Sequence, residues 1–129
     1  MKKIISVIII SLLLLASVIV EQIYKDNTMN TLIDKIQVLN AEINNSETIN
    51  TSEIQYIIND LDKYWEKQTN ILRITINNND LSRIGEQIKK VKVYIEQNDK
   101  DNCLYEIDTL EFYAENYKVV MELNFQNIM

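Results

Sequence analysis

Residues 4–20 are apolar on every side, whereas the rest of the chain alternates apolar and polar positions with the period of a helix. The run from Ile4 to Val20 holds no charge, Pro or Gly, and thirteen of its seventeen residues are Ile, Leu or Val. Beyond it, Met29, Leu32, Ile36, Leu39 and Ile43 follow at 3-4-3-4 spacing. That stripe predicts an amphipathic helix over 22–44, continuous with the apolar run. Asn44 to Thr48 reads as a turn. Ser52 with Gln55 resembles a capping box opening a second helix, whose stripe is Ile54, Ile58, Leu61, Trp65 and Leu72, with Ile57, Tyr64 and Ile71 beside it. The stripe fades in Asn77-Asn78-Asn79. Asn79 or Asp80 caps a third helix carrying Leu81, Ile84, Ile88, Val91 and Ile95. Gln97 to Asn102 is the next turn, and the last helix buries Cys103, Ile107, Leu110, Ala114, Tyr117 and Met121.

The expected fold is all-α. An N-terminal transmembrane helix (residues 1–21) precedes an antiparallel bundle of about four helices, two helical hairpins, in an extracytoplasmic domain (residues 22–129). The two halves also align. Leu32, Ile36, Leu39 and Ile43 match Ile84, Ile88, Val91 and Ile95 at one offset, and Ile54, Ile58, Leu61, Tyr64 and Trp65 match Cys103, Ile107, Leu110, Tyr113 and Ala114 at another. Either one hairpin is used twice, or two heptad-like hairpins align because all such hairpins do. Short turns alternate the direction of the chain and return Met129 toward the membrane, with Phe125, Ile128 and Met129 packing near the outer end of the span.

A helix of seventeen residues is about 26 Å long, a little short of a hydrocarbon core of about 30 Å, and Lys2 and Lys3 snorkel to cover the difference. Its thirteen large aliphatic residues favour insertion by about 5 kcal/mol together. A cleaved signal peptide is the main rival. The candidate cleavage pairs Leu14/Ala16, Leu15/Ser17 and Ala16/Val18 each lack one of the two small residues, so the run reads as an uncleaved anchor. With Lys2 and Lys3 before the span and Glu21 after it, the positive-inside rule puts the N-terminus in the cytoplasm and the rest outside the cell membrane. Ser6, Ser11 and Ser17 are five and six residues apart, so no small-xxx-small pair supports dimerisation through the span.

Composition narrows the function. Zero Pro and the single Gly, Gly85, agree with an all-helical chain. Residues 21–129 carry nineteen acidic and eleven basic side chains, a net charge of −8, which argues against a nucleic-acid partner. Without His, the commonest metal sites and general bases are missing. No phosphate loop or nucleophilic triad appears, and the expectation is a non-enzyme without a cofactor or metal. Asp99-Lys100-Asp101-Asn102 lacks the central Gly of a calcium loop. Trp65 and Cys103 fall on apolar stripes and read as core residues. Gly85, inside a helix, points to close helix approach or to simple tolerance. Lys89, Lys90 and Lys92, with Arg83, make the third helix basic, while Asp101, Glu106, Asp108, Glu111, Glu115 and Glu122 make the fourth acidic. These charges read as neighbouring helices complementing each other; the alternative makes Lys89, Lys90 and Lys92 an interaction surface for lipid headgroups or an acidic partner.

Lys2-Lys3 before the span, Leu61-Asp62-Lys63-Tyr64-Trp65, Val91-Lys92-Val93-Tyr94-Ile95-Glu96 and the ending Asn127-Ile128-Met129 give the chain a further likeness. In their order and spacing it resembles, over nearly its full length, a bacterial family of short helical proteins with an N-terminal span, domain of unknown function 4363. Members often carry a His in the connection where this chain has Asn78. The resemblance implies the architecture above, and a multi-span membrane protein as partner. The function expected is that of a single-pass protein, inserted through residues 4–20, whose external bundle binds or scaffolds another envelope protein. The alternatives are a ligand-sensing module with a pocket lined by Tyr56, Tyr64, Tyr94 and Tyr113, or a secreted helical protein if the N-terminal segment is cleaved. Nothing in the sequence fixes the oligomeric state.

Overall fold

The structure is a computed structural model that describes the backbone of residues 1–72 and 78–128 and the side chains of residues 1–72 and 79–121. It contains four helices: α1 (Lys2–Asn44), α2 (Ser52–Leu72), α3 (Asn78–Glu96) and α4 (Lys100–Ile128). The side chains of Asn78, Phe125 and Ile128, and all of Met129, lie outside the described residues, as does Asn77.

α1 runs unbroken through 43 residues, about 65 Å, because neither Pro nor Gly interrupts it. Its two halves differ in patterning. Up to Val20 it is apolar all round; from Thr28 onward Met29, Leu32, Ile36, Leu39 and Ile43 form one fully buried stripe. The boundary drawn at residues 21 and 22 therefore falls inside a continuous helix. That lower stripe packs into a ring in which α1 touches α2, α2 touches α3, α3 touches α4, and α4 closes onto α1. The order is that of an up-down-up-down four-helix bundle.

Cross-links between helices fix the antiparallel register. On the α1–α2 side the Tyr24 hydroxyl donates to Gln68, the Tyr64 hydroxyl donates to the Thr28 carbonyl (3.2 Å), and Lys35 pairs with Asp60 (2.7 Å). On the α3–α4 side the Arg83 guanidinium lies over the Tyr113 ring, and Gln87 reaches Glu106. Every residue assigned to a main apolar stripe is buried. Ile57 and Tyr64 are half-buried as flanking positions, but Ile71 is largely exposed. The matched positions of the two hairpins are buried alike, and each hairpin sets a cation over the equivalent Tyr ring: Lys35 over Tyr64, Arg83 over Tyr113.

The ends of the helices correct the sequence reading by a residue or more. α2 is capped by Thr51, whose hydroxyl accepts from the Ile54 N–H (3.3 Å), and not by Ser52. Thr51 occupies the non-helical position from which a side-chain oxygen reaches the first turn. α3 already begins at Asn78, so Asn79 and Asp80 lie in its first turn and do not precede it.

The connection after α3 is shorter than expected, and α4 starts at Lys100. Asn98 adopts a left-handed φ of 54° and ends α3. The Asn98 N–H bonds to the Ile95 carbonyl and the Asp99 N–H to the Tyr94 carbonyl, the paired pattern of a Schellman motif. Asp99 then caps α4, accepting from the Asn102 backbone N–H (3.3 Å) and side-chain amide (2.7 Å). In the run that lacks the Gly of a calcium loop, the Asp99 carboxylate thus serves helix initiation.

The two connections also hold each other. The Asn98 side chain accepts from the Ile49 N–H (2.8 Å), and Lys100 donates to the Asn44 and Ser46 carbonyls (3.2 and 2.8 Å). Ile49, a lone apolar residue between polar ones, plugs this end of the core and is fully buried.

Candidate functional site

The bare half of α1 is the first candidate. It contains an 18-residue window of mean hydropathy 2.8, none of it buried against the rest of the protein. The Ser6 hydroxyl donates back to the Lys2 carbonyl (3.0 Å), so this polar group is satisfied within the helix. An apolar helix of this length that packs against nothing is not a core helix. Its chemistry is that of a membrane anchor or a signal sequence.

The lysines of α3 are the second. Lys90 points toward α4, its Nζ 3.2 Å from Glu106 Oε1. Lys89 lines a groove on the opposite flank, between α2 and α3, and Lys92 is half-buried. The structure therefore divides Lys89 and Lys90 between the two flanks of the helix. The expected complement between basic α3 and acidic α4 reduces to one ion pair among the described residues, Lys90 with Glu106. Asp101, Asp108 and Glu115 are exposed and pair with no cation there, because their spacing turns them away from α3.

Glu106 is itself nearly buried, and so is Gln87. The Gln87 side-chain amide donates to the Glu106 carboxylate (2.6 Å) and to the Glu106 carbonyl (2.9 Å). Sequence reasoning missed this network although a signal was present. Gln87 lies three residues after Ile84 and four before Val91, and Glu106 lies three after Cys103 and four before Leu110. Both are core-facing positions by helical spacing.

The four tyrosines do not line one pocket. Tyr56 is exposed beside a shallow α1–α2 groove of about 280 Å³ with Val38 and Ile57. Tyr64 is held against α1 by its bond to Thr28, and Tyr113 faces Arg83 beside a separate void of about 30 Å³. Tyr94 is half-buried on α3. The bundle axis between them is occupied by Leu, Ile and Val side chains, which keeps the rings on the flanks.

Trp65 and Cys103 are core residues as expected. The Trp65 indole N–H donates to the Leu81 carbonyl (3.1 Å), and its ring lies against Gly85. A Cβ at Gly85 would meet the indole at 3.6 Å, an ordinary contact, so the helices approach closely but leave room for a methyl. The α2–α3 groove beside them measures about 430 Å³ and is edged by Asp62, Glu66, Glu86 and Lys89. Burial, with the Asp99 carboxylate adding, pushes the Cys103 thiol up to about 12. Burial next to Asp80 pushes Tyr117 to about 12 as well, and its hydroxyl has no partner among the described residues. Burial also raises Tyr64.

The comparison with known proteins bears on the whole domain. The model of a family described as Domain of unknown function (DUF4363) matches residues 19–128, which takes in the entire bundle and the last residues of the apolar run. No curated protein and no solved structure matches.

Proposed function

The chain belongs to the DUF4363 family, the one its motifs resemble, and on that footing we propose that it is a single-pass membrane protein whose external helical bundle binds another membrane or envelope protein. The observation that carries this reading is the division of α1. One half, Ile4 to Val20, is apolar on every face and packed against nothing, while the other half supplies a wall of the bundle core. A helix shared in this way joins the domain to the bilayer without a linker. Retention of the segment is supported by the missing small residues at its cleavage positions, and orientation by Lys2 and Lys3 on one side and Glu21 on the other.

A non-enzymatic role is the better reading of the domain. Among its buried polar groups Gln87 and Glu106 are engaged with each other, Thr28 and Thr69 with carbonyls of their own helices, and Trp65 with the backbone of α3, which leaves the Tyr117 hydroxyl as the unpartnered one among the described residues. The aromatic residues that would hold a small ligand are dispersed over separate flanks.

The test is mass spectrometry of the full-length protein from membranes, with protease accessibility on intact cells. Recovery of the peptide bearing residues 4–20 with the bundle, and digestion of the bundle from outside, is the expected result. Release of a chain starting near residue 19 into the medium would replace the anchored reading by a secreted one.

A further inference from the structure

The outward face of α4 carries a regular pattern that the fold leaves exposed, with Glu115 and Val119 at its end also edging a groove against α1 beside Ile33 and Asp34. Tyr105, Phe112 and Val119 recur every seven residues and are 68%, 64% and 51% exposed. Asp101, Asp108 and Glu115 recur at the same interval and are also exposed. Together, 101-105-108-112-115-119 is a continuous 4-3-4-3-4 series, the spacing of a coiled-coil seam with one position apolar and the other acidic. The core stripe of α4, Cys103 to Met121, lies on the opposite side of the helix, so the series does not serve the bundle. A solvated helix face needs no aromatic ring at its outermost line, and isolated surface apolar residues do not recur in register over about 21 Å.

We propose that this face is the docking seam of the protein, and that its occupant is a partner-protein helix carrying apolar residues at one heptad position and Lys or Arg at the other. The proposal rests on the interaction-module reading above and names the surface and the partner's chemistry. Charge decides the occupant. The three carboxylates pair with no cation among the described residues, and the external domain has an excess of eight negative charges. A second copy docked seam to seam would set carboxylate rows against each other, which is unfavourable. A basic amphipathic helix supplies the missing cations to Asp101, Asp108 and Glu115 and covers Tyr105, Phe112 and Val119. Electrostatic attraction of this kind accelerates encounter and weakens with salt.

In the full-length protein in its own cells, a photo-crosslinking amino acid is placed singly at Tyr105, Phe112 and Val119, and at the exposed control positions Tyr56 and Val93. The crosslinked peptides are then sequenced. The expected result is adducts from the three α4 positions to a segment of another protein with alternating apolar and Lys/Arg heptad positions. Those adducts should fall at least tenfold when Asp108→Lys and Glu115→Lys are combined, with an unchanged melting temperature. Adducts to this chain itself, adducts to lipid, or insensitivity to the charge reversal would overturn the seam. Adducts from Tyr56 or Val93 alone would overturn the seam and leave the interaction module standing. No protein adduct from any of the five positions would remove both.

Discussion

Asn98 concentrates two tasks in one side chain: it ends α3 in a left-handed conformation and it accepts the Ile49 N–H from the other connection. Asn98→Gly keeps the first task and loses the second, whereas Asn98→Ala loses both. Chemical unfolding should therefore rank the variants wild type, Gly, Ala, with the Ala variant destabilised by about 1–3 kcal/mol. Gly85→Ala should act in the other direction, raising stability by about 0.5–1 kcal/mol, because the helix gains propensity and the methyl meets Trp65 at an ordinary distance.

Cys103 and Tyr117 make the protein sensitive to alkali. In the unfolded chain these groups lose their protons near 9.0 and 10.0, but in the folded chain only near 12. Between those values the unfolded state binds fewer protons, so unfolding free energy falls as pH rises from about 9 to 12 and is flat with respect to both groups below pH 8. Urea midpoints across that range check the slope, and Cys103→Ala should remove the thiol's share. The burial behind this was legible in the sequence, since Cys103 and Tyr117 occupy helical stripe positions. The Asn98 conformation was not, because an Asn in a polar turn has the same sequence signature whether its side chain is solvated or bonded to another loop.

At the scale of the helices, the register of α3 against α4 depends on a polar contact inside an apolar interface. Glu106→Ala would leave the Gln87 amide buried without its acceptor carboxylate, and should cost about 1–3 kcal/mol in a denaturant titration. Replacing both Gln87 and Glu106 by Leu should cost less than the single change, because a matched apolar pair leaves no donor stranded. The apolar stripes of all four helices were readable from 3-4 spacing alone. The ends were less so: Thr51 and Ser52 are chemically equivalent as caps, and only the direction of the incoming chain selects between them. The charges of α4 were legible as a count but not as a direction. Their division between Glu106, turned inward, and Asp101, Asp108 and Glu115, turned outward, follows from which face of α4 the core claims.

At the scale of the molecule, the ring of neighbours gives each helix two partners and one face to solvent. The outward faces are therefore where the protein has freedom to specialise, and the aromatic and acidic series of α4 stands on one of them. The long first helix adds a geometric constraint to that face. Since α1 enters the core without a hinge, the azimuth of the bundle about the axis of the apolar segment is set by the residue count between Val20 and Tyr24. One Ala inserted after Glu21 would turn the whole domain by about 100° and lift it by about 1.5 Å while leaving every interhelical bond from Tyr24 onward in place. Melting should be unchanged, yet spin labels on residues 4–20 and on α4 should report the altered angle. The bundle is in this sense indexed to its apolar segment, like a key cut on a shaft: the direction in which each outward face points is decided by helical phase.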